Sequence, residues 1–296
     1  MYDITTETGD FIAEGVVSHN CYARPRHEYL SLGAGTDFER KIVVKPNAPE
    51  LLREAFDRPS WTGELIMFSG DTDCYQPLEA SYELTRRCLA VCAEYKNPCG
   101  VITKSPLIER DVDVLAELSR VTGFRVTISI PLWDPEKARA MEPFVATPQR
   151  RIRTIERLAK AGVRVGVNIA PMIPGLGDED MPFTLQAARD AGAVHAGFVF
   201  LRLPGPVAGI FEERIQKALP LRARKVLARV REARGGNLYD SRWVVRQRGE
   251  GPYAAAAQAL FDAETRRLGL DTPDSKFENV DTFARPPKRG DQLRLF

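Results

Sequence analysis

Four consecutive residues near the amino end, Ser18-His19-Asn20-Cys21, stand in an order that can cut a peptide chain. The Asn20 side-chain amide can attack its own carbonyl to close a succinimide, and His19 can donate a proton. The Cys21 thiol can hold an acyl group as a thioester. On this reading the mature protein begins at Cys21, and a further segment normally stands in front of it. The plainer reading is a strand-turn-strand start, because residues 2–6 and 11–17 are both β-rich, with a chance His-Asn-Cys.

A second set of candidates lies at the ends of apolar runs: Ser69 to Asp73, Thr103-Lys104-Ser105, Ser129, Asn168, and the Pro- and Gly-rich stretch PMIPGLGDED. Each has a local explanation as a cap or turn; Ser105, for instance, could cap the next helix. Taken in series they favour one ligand site.

The elements that must position these residues are legible from periodicity. Short apolar, β-branched runs at 65–70, 100–105, 124–130, 163–173 and 195–203 alternate with helical patterns. The helices are expected at 78–95, 108–121, 135–141, 148–161 and 178–191. Strands that are nearly continuous in apolar residues belong in a parallel sheet covered by helices. The alternation predicts an α/β fold, closing as a barrel or part of one, with ligands at the carboxyl ends of the strands. Further helices are expected over 221–233 and 254–268. The tail from Asp271 is rich in Pro and charge and reads as extended or disordered.

At 296 residues the chain can bury one large core or two ordinary ones. Its net charge of +2, with acids and bases intermixed, gives no basic footprint for nucleic acid. No apolar run approaches the ~20 residues needed to span a bilayer, and the start lacks a signal-peptide pattern. A cytoplasmic location is therefore expected. There the five cysteines, Cys21, Cys74, Cys88, Cys92 and Cys99, should not form disulfides. Cys88, Cys92 and Cys99 read as packing residues, whereas Cys74, next to the 69–73 strand end, is also a site candidate. His27 and His195 are the remaining candidate bases, His27 in a polar loop and His195 opening a strand.

The first segment, with YDITTE, the FIAEG turn and VV before SHNC, resembles the carboxyl end of an intein. From Cys21 onward the chain reads CYARPRHEYL, KPNAPELLREAF, TDCYQPLEASYELTR, VITKSPLIERDVDVL, APMIPGLGDED, FVFLRLPG and RGGNLYDSRW. This series resembles the radical SAM proteins related to spore photoproduct lyase, in a subgroup of unassigned activity with intein-bearing, actinobacterial-type members. The resemblance covers about residues 21–270. Such proteins carry a CxxxCxxC loop whose last cysteine is followed by Tyr-Ala-Arg, so Cys21 matches the third cysteine. The first two cysteines and the first barrel strand are absent from this sequence.

The resemblance implies a partial (β/α)6 radical SAM barrel lacking its first strand, with an intein remnant over 1–20. The core would span 21–205, a helical extension 206–270 and a flexible tail 271–296. It implies a [4Fe–4S] cluster with Cys21 as one ligand, and S-adenosylmethionine cleaved reductively to a 5′-deoxyadenosyl radical. Thr72 and Asp73 would bind the methionyl amino group, Lys104 the carboxylate, and Ser129 the same moiety or the ribose. Ile173, Pro174 and Leu201 would lie against adenine, and Tyr22 would flank the cluster.

The implied partners are the missing upstream segment, in cis or in trans, and an electron donor such as flavodoxin or ferredoxin. Taken alone, this piece is expected to be inactive. One departure argues against thymine-dimer repair. Spore photoproduct lyase returns a hydrogen atom from a cysteine near this strand end; here Gly70 or Asp71 stands there, and Cys74 is on the wrong side of Asp73. A non-catalytic (β/α) binding protein and a metal-independent barrel enzyme are the alternatives.

Overall fold

Apolar runs separated by amphipathic helices give a sheet whose strands follow one another in space as they do in sequence. The computed structural model describes residues 10–12, 25, 31, 41–70, 72–271 and 281–287. His19, Asn20, Cys21, Tyr22, His27 and Asp71 lie outside the described residues. Strand β1 (Asp10–Ile12) pairs antiparallel with β2 (Lys41–Val43). Helix α1 (Ala48–Asp57) follows. The main sheet is five-stranded and parallel, in the order β3 (Ile66–Phe68), β4 (Cys99–Thr103), β5 (Arg125–Ser129), β6 (Val165–Met172), β7 (His195–Phe200).

Between β3 and β4 lie α2 (Glu79–Tyr82) and α3 (Leu84–Glu94). One helix was expected over 78–95, but the chain breaks at Glu83, whose φ is +50°. The break lets the Glu79 carboxylate accept from Thr85 N at 3.0 Å and Arg86 N at 3.3 Å, which satisfies free donors of the α3 first turn. The segment expected as helix 108–121 opens as a 3₁₀ turn, Pro106–Asp111, before α4 (Val112–Val121). Ser105 caps that turn by accepting from Leu107 N.

After β5 come α5 (Pro135–Met141) and α6 (Pro148–Lys160). Each begins with a proline behind a capping residue: Asp134 accepts from two backbone N–H groups of α5, and Thr147 from Arg150 N. Helix α7 (Gly177–Asp190) joins β6 to β7, and α8 (Val207–Ala218), α9 (Pro220–Glu232), α10 (Trp243–Arg248) and α11 (Gly251–Leu268) complete the chain.

The larger core cluster joins Val101, Val126 and Val167 of the sheet to Leu89, Leu115, Ile155 and Leu185 of the helices, and it includes Ala257 and Phe261 of α11. A second cluster, with Leu132, Ile173, Leu201, Phe211 and Val226, binds α8 and α9 to the loops beyond β5, β6 and β7. Cys88, Cys92 and Cys99 are buried as free thiols, in keeping with the packing role read from sequence. No helix among the described residues is long and apolar enough to cross a membrane.

Part of the tail expected to be extended or disordered is described, residues 281–287, and it has no regular secondary structure. Asp271 pairs with His195 beside β7, and residues 281–287 lie against the body of the protein. The Phe283 ring packs with Phe56 and Tyr95, over Gly63, whose φ of +96° and missing side chain leave room for it. Arg285 donates to the carbonyl of Phe56 in the last turn of α1 and to those of Arg58 and Trp61 just beyond it. The Phe56 carbonyl, in the last turn of α1, is one that needs a donor once the helix ends, and the charged tail residue Arg285 supplies it.

Candidate functional site

The polar strand ends converge. A cavity of ≈ 170 Å³ opens at the carboxyl ends of the parallel strands, with Ser69 and Asp73 beyond β3, Thr103 and Lys104 at β4, and Ser129 at β5. Asn168, Ala170 and Pro171 of β6, and Phe200 to Arg202 from β7 onward, close its other side. Gln247 reaches it from α10.

The loop beyond β3 is held by its own side chains. Ser69 adopts a left-handed φ of +70°, and its Oγ accepts from Cys74 N at 2.9 Å. Asp73 is buried, and its Oδ1 accepts from Thr103 Oγ1 at 2.7 Å and Tyr75 N at 2.9 Å. Oδ2 accepts from Lys104 N at 2.9 Å. Burial raises the Asp73 pKa, and these hydrogen bonds oppose it. Asp73 therefore ties the β3 loop to the end of β4 and still forms part of the cavity wall. Cys74 does not line the cavity; burial, with the Asp73 charge beside it, pushes its thiol well above the usual range. That environment makes an unreactive thiol.

Lys104 is 4% exposed and its ammonium is hydrogen-bonded to Glu142 Oε1. Arg151 donates to Glu142 Oε2 at 3.0 Å and to the Ser129 carbonyl at 2.9 Å. Ser129 is buried and lines the cavity, as does Leu201. Asn168 Oδ1 is buried without a hydrogen-bond partner. It has room because residue 197 is glycine: a Cβ there would sit 2.8 Å from that oxygen.

Asp73, Lys104, Ser129 and Leu201 are thus brought together. Thr72, Ile173 and Pro174 are not part of the cavity lining. Ile173 is buried in the second core cluster, and its carbonyl accepts from Leu176 N and Gly177 N. The acidic end of PMIPGLGDED is likewise structural: Asp180 accepts from Trp133 N, Asp134 N and Lys137 Nζ, fixing the loop beyond β5. Sequence reading assigned no role to Arg202, Gln247 or Glu142. For Arg202 a signal existed, a basic residue interrupting an apolar run at a strand's carboxyl end.

The residues fit a methionyl nucleoside. A carboxylate, an ammonium and a serine stand on one side, Ile102, Val199 and Leu201 supply apolar wall, and Asn168 presents a buried acceptor still to be satisfied. For a metal, the described residues contain no group of three or more His, Cys, Asp or Glu able to hold an ion.

Comparison with known proteins gives a consistent result. The profile described as Radical SAM superfamily matches residues 21–188. An uncharacterized protein of Mycobacterium tuberculosis (strain ATCC 25618 / H37Rv) is 35% identical over 214 residues, covering 72% of this chain and 62% of the relative. An uncharacterized protein of Methanocaldococcus jannaschii is 29% identical over 170 residues, covering 55% of this chain and 61% of that protein. The chain therefore spans less than two thirds of the length of either relative. Among solved structures, a spore photoproduct lyase mutant with bound AdoMet and dinucleoside spore photoproduct superposes with a TM-score of 0.59. That match covers 86% of this chain and 72% of the other, at 13% identity, and so speaks to the fold.

Proposed function

Because this chain belongs to the radical SAM superfamily, we propose that it is the downstream part of an enzyme that binds S-adenosylmethionine in the cavity at the strand ends. The observation that carries the reading is the convergence of Asp73, Lys104, Ser129 and Asn168 on one cavity in a chain of this family. The cofactors, when bound, supply reductive cleavage of the sulfonium bond and a 5′-deoxyadenosyl radical that acts on the substrate. The chain's own residues bind and orient. Asp73 meets the methionyl ammonium with its remaining acceptor capacity, and Lys104 meets the carboxylate. Ser129 hydrogen-bonds the same moiety or the ribose, while Leu201 and its neighbours exclude water from the adenine.

Cys21 is the proposed cluster ligand in this chain, with two cysteines contributed by an upstream segment. In the same proposal residues 1–20 are the end of an intein, Cys21 is its downstream nucleophile, and His19 and Asn20 complete the cleavage. The family match begins at residue 21, directly after Asn20, which supports a junction there. The joined protein would work in the cytoplasm with a flavodoxin- or ferredoxin-type donor, and the chain alone would be inactive. Expression of the gene with its upstream reading frame tests this. A joined product in which Asn20 is absent and Cys21 follows CxxxCxx is expected; an upstream region encoding neither an intein body nor those cysteines overturns the junction.

A further inference from the structure

Four charged side chains of alternating sign, Asp73, Lys104, Glu142 and Arg151, run outward from the cavity, the first two in its wall and the last two beyond it. They come from three successive βα units: Asp73 beyond β3, Lys104 beyond β4, and both Glu142, at the end of α5, and Arg151, in α6, between β5 and β6. Lys104 lines the cavity, whereas Glu142 and Arg151 line a separate hollow bounded by residues 135–148. The Lys104–Glu142 pair therefore forms the partition between the two spaces.

The two cations on Glu142 are held differently. Arg151 is 1% exposed and fixed by three acceptors on three sides: Ala146 O at 2.8 Å, Ser129 O at 2.9 Å and Glu142 Oε2 at 3.0 Å. Its planar fork cannot turn without losing all of them. Lys104 carries its charge on a flexible stem with rotatable donors, and its backbone is separately anchored to Asp73. If the ammonium turns into the cavity, Glu142 keeps Arg151 as its counter-ion. Removing Glu142 takes from the buried Lys104 ammonium the carboxylate it is hydrogen-bonded to, which is costly.

We propose that Glu142 is a positioning residue and a stand-in for ligand: it holds the Lys104 ammonium until the carboxylate of the methionyl group replaces it, and Arg151 then balances Glu142. This rests on the reading of the cavity as an S-adenosylmethionine site. It predicts that the ligand's carboxylate competes with Glu142 for one cation, so weakening Glu142 strengthens carboxylate binding.

The test titrates the 296-residue chain with S-adenosylhomocysteine, and with its decarboxylated form, which keeps the amine and lacks the carboxylate. Glu142→Gln should melt at a lower temperature without ligand and bind S-adenosylhomocysteine about fivefold or more tightly, as expected when a charge-assisted competitor is removed. Affinity for the decarboxylated form should be unchanged. Should Glu142→Gln not fold, Glu142→Asp keeps the charge on the Arg151 side but is one methylene shorter, and its affinities should move the same way. Equal changes for both ligands, or weaker binding of S-adenosylhomocysteine alone, overturn the exchange while leaving the cavity reading intact. A wild-type chain that binds neither ligand overturns the cavity reading and the exchange with it.

Discussion

The Asp73 carboxylate accepts the Lys104 backbone N–H at 2.9 Å, so the group proposed to meet the ligand's ammonium also sets where the residue for its carboxylate begins. The other oxygen is engaged by Thr103 Oγ1 and Tyr75 N. Both carboxylate oxygens are thus acceptors, and an amide cannot imitate that. Asp73→Asn must turn an NH2 toward a donor, leaving buried groups unsatisfied, and should lose about 2–3 kcal/mol of stability in urea denaturation. It should also weaken S-adenosylhomocysteine binding; an unchanged midpoint and affinity would show that the anchor is dispensable.

Two glycines of adjacent strands should respond differently to alanine. At Gly166 a Cβ would lie 2.3 Å from the His195 backbone oxygen, so the β6–β7 pairing itself must shift. Gly166→Ala should cost about 3 kcal/mol or more. At Gly197 the obstacle is the tip of the Asn168 side chain at 2.8 Å, which can rotate. Gly197→Ala should lose no more than about 1 kcal/mol yet weaken S-adenosylhomocysteine binding several-fold, because Asn168 is displaced from the cavity. Thermal melts with and without ligand separate the two effects.

His195 gives the fold a pH dependence. It is buried, with Nε2 3.0 Å from Thr127 Oγ1. Burial first, then the nearby charges of Arg125 and Arg164, push its pKa down from 6.5 to about 4. Between those values the unfolded chain takes up a proton that the folded protein refuses. Stability from this residue is therefore complete above pH 6.5 and falls as pH drops toward about 4, by up to about 3 kcal/mol. In His195→Gln the slope of stability against pH over that interval should flatten, as measured by urea midpoints; an unaltered slope would mean that other groups set it.

The docked tail should matter to stability. Arg285→Ala removes donors from three carbonyls in and just beyond the last turn of α1 and should cost about 1–2 kcal/mol. Phe283→Ala, which empties the space over Gly63, should cost about 2–3 kcal/mol. Denaturant midpoints equal to wild type for both would mean that the tail only rests on the surface.

Much of this was legible in the chain. The β-branched runs placed β4 to β7 to within three residues at either end, and in a parallel sheet their polar carboxyl ends had to converge, which brought Asp73, Lys104, Ser129 and Leu201 together. Ile173 and Pro174 do not line the cavity, because proximity in sequence to a strand end says nothing about which way the next turn closes; here Ile173 turns into the second core. Gln247 and Glu142 arrive through helices packed from elsewhere, and periodicity does not report such long-range contacts. Composition read the tail as extended or disordered and could not show that residues 281–287 dock, because their partners, the ends of α1 and α3, exist only in the folded protein.

The central claim is that Cys21 and the cavity belong to one radical SAM active site, and anaerobic iron reconstitution of the joined polypeptide tests it most directly. With CxxxCxx joined to Cys21, the protein should bind about four irons per chain and form 5′-deoxyadenosine from S-adenosylmethionine under reduction, and Cys21→Ala should lose both. A joined protein with all three cysteines that takes up no iron, or a Cys21→Ala variant that keeps a full cluster, would contradict the account.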